Sequence, residues 1–206
     1  SAHSGYYLPI DFPEKNNDDM ELSIVLKYLK SLFEDDEHYF CGQNIKYDAL
    51  VLSRHDIEIA NIAFDTMVAE YLLHPEKNSY KLDYLSFDYL NYKMKPIEDL
   101  IGSGLHQISM SQVPLKEISF YAIEDSDVTF QLSNILLDKI KEEKLNFSYD
   151  KIELPLIPVL IEIEKNGILL DLDYLKKLSL DFGDDLQKLT EKIYEISDKE
   201  FNINSP

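Results

Sequence analysis

One cysteine, one arginine and no apolar run of the ~20 residues needed to cross a bilayer set the first limits on this 206-residue chain. The lone thiol, Cys41, excludes an internal disulfide framework and fits a reducing cytoplasm, and no signal-peptide pattern opens the sequence. Basic charge is scarce: 20 Lys and Arg stand against 39 Asp and Glu, a net charge of −19. That balance argues against tight, autonomous binding of nucleic acid, which needs a basic stripe for the phosphates. It leaves room for a nuclease site, where carboxylates hold the cations that meet the phosphate. Internal repeats and low-complexity tracts are absent, and His3, His38, His55, His74 and His106 show no ligand spacing. The "GSG" at Gly102–Gly104 has no strand leading in and no Lys-Ser/Thr behind it, so it is a loop and not a phosphate cradle.

What is present is a globular composition, 45% hydrophobic and 12% aromatic, enough for one domain or one and a fraction. The chain has no initiator Met, opens on the strand-like "SAHSGYYLPI" and ends on the turn "FNINSP", so a piece of a larger protein is expected. Tyr6 to Ile10 alternates as a strand and runs into the turn "DFPEKNNDD". A helix follows from Met20, then a short strand at "HYFCG" and a helix over "QNIKYDALVLSRH" with Asn44 near its start. "DIEIANIAF" alternates as a strand, before helices over "DTMVAEYLLHP", "KLDYLSFDYLNYK" and "KPIEDLIGSG". Pro114 suits the first turn of a helix reaching to about Lys144. This is an α/β pattern with an almost purely helical later half. A second unit begins near Asn146: a helix interrupted by prolines, a glycine stop, then a long helix capped by Asp171 or Asp173.

Two acids fall on apolar faces. At about 100° per residue, Ile118, Tyr121, Ala122, Val128, Thr129, Leu132 and Leu136 lie within about 60° of Asp125. Glu124 and Asp127 point away from that stripe and read as solvated. Asp48 likewise shares its face with Asn44, Ile45, Val51 and Leu52. A carboxylate facing a core costs several kcal/mol unless it is hydrogen-bonded, protonated or bound to a cation. Each therefore reads either as a buried Asp taking backbone N–H bonds or as half of a divalent-metal site. Hard oxygen ligands would select Mg²⁺ or Mn²⁺.

The stretches "GQNIKYD" (Gly42–Asp48) and "YAIEDSDVT" (Tyr121–Thr129) resemble the second and third motifs of the proofreading 3′→5′ exonuclease domain of family-A DNA polymerases, the bacterial DNA polymerase I type. "IAFDTMVAEYLLHP" and "KLDYLSFDYL" are similar to that family too. "IELPLIPVLIEIEKNGILLD" and "FNINSP" resemble the start of its polymerase domain. The resemblance implies a ribonuclease H-like fold over residues 1–146, truncated at its N-terminus, and helices of a polymerase domain over 147–206. It implies a two-metal site in which Asp48 and Asp125 hold Mg²⁺ or Mn²⁺ and Tyr121 orients the attacking water. Gln43, Asn44 and Tyr47 fall where the family touches single-stranded DNA. The partner implied is DNA, with no membrane and no obligate protein partner, in a bacterial cytoplasm.

The chain departs from the family in two respects, and the larger is that the first motif, an Asp-x-Glu on the opening strand, does not precede "GQNIKYD" on a strand. Asp19/Glu21 and Asp35/Glu37 sit at a loop–helix junction and a helix end, and Asp56/Glu58 and Asp198/Glu200 come too late. "FDTM" at Phe64–Met67 imitates that motif but has Met67 where a glutamate is needed. The expectation is that the first strands lie before Ser1 and that this chain alone is nearly inactive. Members also carry a basic residue just before the "LD" helix, where Asn78, Ser79 and Tyr80 stand here. Two other readings are a non-catalytic, structural exonuclease-like domain of a polymerase and a ribonuclease D-type exoribonuclease. The polymerase-like segment Ile152–Asp171 argues against the second.

Overall fold

The computed structural model describes residues 2–9, 21–104 and 107–203. The turn expected over 11–19, the helix start at Met20, Ile10 and His106 lie outside them. The chain divides into two compact units, Ser1–Lys165 and Asn166–Pro206.

The first unit is mixed α/β and mostly helical. Its elements run α1 (Leu22–Phe33), β1 (Phe40–Gly42), α2 (Ile45–Ser53), β2 (Ile62–Asp65), α3 (Thr66–Leu73), α4 (Leu82–Leu90), α5 (Glu98–Ile101) and α6 (Leu115–Glu142). A single turn, α7 (Asn146–Ser148), and a π-helical turn at Tyr149–Glu153 then lead into α8 (Leu154–Asn166). β1 and β2 pair in parallel, Cys41 opposite Phe64 and Gly42 opposite Asp65. Parallel pairing requires the crossover that α2 supplies. The 28-residue α6 is the spine, packed on α3, α4 and β1. Leu132, Leu136 and Ile140 on its buried face are fully enclosed with Phe64, Ala69, Leu85 and Tyr149. A smaller cluster of Leu100, Ile101 and Val113 packs against Ile118 and Tyr121 near the start of α6.

Three sequence expectations change. Residues 6–9 form no strand, because among the described residues no neighbour offers them a ladder. Of "DIEIANIAF" only Ile62–Phe64 pairs, continuing to Asp65; Ile57 is buried while outside any strand. The prolines do not break α8: the chain stays helical through Pro155 and Pro158, and the helical irregularity is the π-helical turn Tyr149–Glu153 directly before them.

In the second unit Gly167 (φ 65°) ends α8 in the left-handed region and an extended segment leads to α9 (Leu172–Ser197). Asp171 caps α9 by accepting from the Tyr174 N–H at 2.9 Å. α9 buries none of its residues, and Leu175, Phe182, Leu186, Leu189 and Ile193 form an exposed apolar stripe. Among the described residues no helix is long and apolar enough to cross a membrane.

Candidate active site

The site begins where β1 turns into α2. Gly42 cannot carry a side chain, since a Cβ there would stand 2.8 Å from the Ile45 Cβ. Asn44 takes the left-handed region (φ 57°) and its side chain caps nothing. The α2 N-terminus is capped from a distance instead: the Ile45 N–H donates to Asp65 Oδ2 at 2.7 Å. Asp48 follows one turn into α2.

A cleft of about 1160 Å³ opens here, with Gln43, Tyr47 and Asp48 on one wall and Tyr121 and Asp125 of α6 on the other. Asp48 and Asp125, 77 residues apart in sequence, thus face one space. Tyr47 stands 65% exposed at its mouth. Gln43 is a strut as much as a wall: its Nε2 donates to the Tyr80 carbonyl at 2.8 Å, and its Oε1 accepts from the Thr66 hydroxyl. Asn44 is not among the lining residues.

Lys81 and Lys95 also line the cleft and were missed in the sequence. Lys81 is the residue immediately before Leu82-Asp83, one position past the Asn78–Tyr80 stretch. The cleft therefore has a cation at that helix start after all.

Both acids are pushed upward. Burial raises the Asp125 carboxyl to about 6, Glu124 adds to the rise, and a hydrogen bond from Tyr121 opposes it. Water reaches Asp48 from the open side, yet enough protein surrounds it that desolvation raises its carboxyl, with the Asp65 charge second and its own backbone N–H opposing. Burial first, then Asp125, pushes the Tyr121 phenol up to about 12, so it remains a hydrogen-bond donor at neutral pH. Carboxylates held this way are poised to gain from a cation or a proton.

Other acids serve the fold. Glu124, expected in water, is 8% exposed and accepts from the Tyr92 hydroxyl at 2.6 Å and the Lys95 N–H at 3.0 Å. The segment 91–97 covers that side of α6, so the buried stripe is rotated away from Asp125, which lies half-buried at its edge. A helical wheel could not show this cover. Asp127 is half-buried, bonded to the His3 N–H and to Gln131 Nε2. Asp65, on the "FDTM" stretch, is 1% exposed and accepts from Met67 and Val68 as the N-cap of α3 besides reaching Ile45. Its lone pairs are occupied by backbone N–H groups.

Asp48 and Asp125 are hard oxygen donors of the kind Mg²⁺ or Mn²⁺ prefers. Among the described residues, however, no group of three or more His, Cys, Asp and Glu side chains could hold a metal ion. The donor type fits and the donor number does not.

The raised Asp125 carboxyl sets a pH signature. Its folded value, about 6, lies above the ordinary 3.8, so the folded chain holds its proton more tightly than the unfolded one. Stability is lost as pH rises from about 4 through 6, and Asp125→Asn removes that loss. The variant is expected to be more stable at pH 7 by on the order of 2 kcal/mol, with no advantage below about pH 4. Urea unfolding at pH 4 and pH 7 checks this; an equal effect at both would refute it.

A family model described as 3′-5′ exonuclease matches residues 3–141. DNA polymerase I of Pseudomonas aeruginosa is 35% identical over 190 residues, which cover 91% of this chain and 21% of that protein. DNA polymerase I of Borreliella burgdorferi is 35% identical over 202 residues, covering 98% and 22%. The chain thus spans about a fifth of the length of these relatives. In fold it is similar to the POL domain of Pol1 from M. smegmatis, solved with DNA primer-template and dNTP (TM-score 0.64, 22% identity, 91% of this chain and 29% of that one). It is also similar to Brucella melitensis NrnC with bound Mg²⁺ (TM-score 0.52, 12% identity, 73% and 67%). With sequence likeness running through both cleft walls, the chain belongs to the 3′-5′ exonuclease family of the family-A DNA polymerases.

Proposed function

We propose that this chain is part of a DNA polymerase I-type enzyme and carries most of the cleft that removes the 3′-terminal nucleotide of single-stranded DNA by hydrolysis. The observation that carries the reading is the convergence of Asp48 from α2 and of Tyr121 and Asp125 from α6 on one cleft, with α6 packed on β1. In this reading the fold is ribonuclease H-like. Residues 1–146 are the exonuclease domain and 147–206 the opening helices of a polymerase domain.

Asp48 and Asp125 would hold Mg²⁺ or Mn²⁺, which when bound activates water and stabilises the leaving 3′ oxygen. Tyr121, kept protonated, donates a hydrogen bond at the Asp125 wall, where it can orient the attacking water. Tyr47 offers a ring on which a base can stack, Gln43 and Asn44 stand at the start of the same helix, and Lys81 and Lys95 supply charge for phosphates. A two-cation cage needs more carboxylates than the described residues bring together, so the 206-residue chain is expected to hydrolyse little.

The test is incubation of the chain with a 5′-labelled single-stranded oligonucleotide and Mg²⁺ or Mn²⁺. Little or no shortening is expected. Robust hydrolysis that survives both Asp48→Ala and Asp125→Ala would sink the assignment. The short donor set also favours a second reading, a structural domain without catalysis. In the complete enzyme that reading predicts hydrolysis indifferent to Asp48→Ala and Asp125→Ala, whereas the first predicts its loss.

A further inference from the structure

We propose that Asp65 and Tyr149 are positioning residues of the cleft, which together fix the helix bearing Asp48 against the β1–β2 pair. This rests on the reading of the cleft given above but concerns residues that hold no substrate.

An N-cap aspartate ordinarily serves one helix. Asp65 serves two. Its Oδ1 accepts from the Met67 and Val68 N–H groups at 2.9 and 3.0 Å, capping α3. Its Oδ2 accepts from the Ile45 N–H at 2.7 Å, and the Asn44 N–H adds to the set, so the same carboxylate closes the start of α2. The side chain that could have capped α2 locally, Asn44, does not. The seating of α2 therefore depends on a group 20 residues away on the neighbouring strand.

The backbone of Asp65 is clamped in turn. Its N–H donates to the Tyr149 hydroxyl at 2.8 Å, and that hydroxyl donates to the Asp65 carbonyl at 3.3 Å. Tyr149 is 1% exposed, its ring tilted against Phe64 at 5.0 Å, at the first position of the π-helical turn after α6. The Thr66 hydroxyl completes the joint, its single hydrogen shared between Gln43 Oε1 and the Gly42 carbonyl at 3.2 Å. Gly42 allows no side chain between β1 and Ile45. A phenol from beyond α6 thus holds the backbone of the residue whose carboxylate caps α2, while the opposite cleft wall is α6 itself. The two walls are referred to each other through this joint.

Two variants separate positioning from bulk stability. Asp65→Ser keeps a local cap for α3, since serine caps as well as aspartate, but cannot reach Ile45. Tyr149→Phe removes only the hydroxyl. In Asp65→Ser, amide hydrogen exchange at Asn44 and Ile45 is expected to accelerate about tenfold or more, with a smaller change at Met67 and Val68. Residual dipolar couplings of residues 45–53 should no longer fit the frame defined by residues 115–142. Tyr149→Phe should move the same α2 signals in the same direction. The proposal is overturned if the α2 couplings still fit the α6 frame in both variants, or if α2 and α3 loosen equally with a common fall in melting temperature. Neither readout uses hydrolysis, so failure here leaves the proposed activity standing, and failure of the activity leaves this joint testable.

Discussion

Replacing Lys77 with Met is expected to lower the stability of the first unit by about 3 kcal/mol, the scale of an uncompensated buried charge. Glu70 is 0% exposed, with Oε1 ion-paired to the Lys77 ammonium at 2.7 Å and Oε2 accepting from the Tyr89 hydroxyl at 2.7 Å. Lys77 also meets Asp88 at 2.8 Å and stands over the Tyr89 ring. Burial pulls the Lys77 amine down, but hydrogen bonds to Asp88 and Glu70 outweigh it and leave it raised. Remove the cation and Glu70 keeps a single partner in a dry site. Asp88, exposed, loses little. If the cost is the orphaned charge, Lys77→Met combined with Glu70→Gln recovers most of the loss. Denaturant unfolding of the two variants decides it: a single-variant loss under 1 kcal/mol, or no recovery in the double variant, would remove the argument.

The second large effect is a cavity. Leu132→Ala empties a position that is 0% exposed between α6 and the core formed with Phe64, Leu85 and Tyr149, and about 3 kcal/mol is expected to be lost. Leu186→Ala on α9, where the side chain is 66% exposed, should change stability by less than about 0.5 kcal/mol. The contrast matters because both leucines fall on apolar stripes with the same helical period. A thermal or urea measurement giving both the same loss would contradict the burial described here.

That pair also shows where sequence reasoning reached and where it stopped. The period of apolar residues located α2, α3, α4, α6 and α9 to within a few residues, since each helix repeats its pattern over two or more turns. It could not tell the enclosed stripe of α6 from the bare one of α9, because burial depends on what covers a face and not on the face. The same limit misplaced Glu124: its neighbours in sequence say solvent, and only segment 91–97 folding over it says otherwise. Asp48 and Asp125 were legible as inward acids because each interrupts an apolar face. Asp65 was legible only as an imitation of a missing motif, although an Asp directly before a Thr-led helix is itself a capping signal. Its reach to Ile45 depends on the strand pairing of Gly42 with Asp65, a contact no local pattern contains. Lys81 directly follows Asn78–Tyr80 and is the basic residue at the start of that helix.

The cleft wall also carries the chain's one thiol. Cys41 sits on β1, exposed, among the residues that line the space between Asp48 and Asp125. With no second cysteine in the sequence to compete, a maleimide reacts at one known place. Because the thiol is already exposed, its alkylation rate reports occupancy of that space, and anything seated between the two aspartates should slow it.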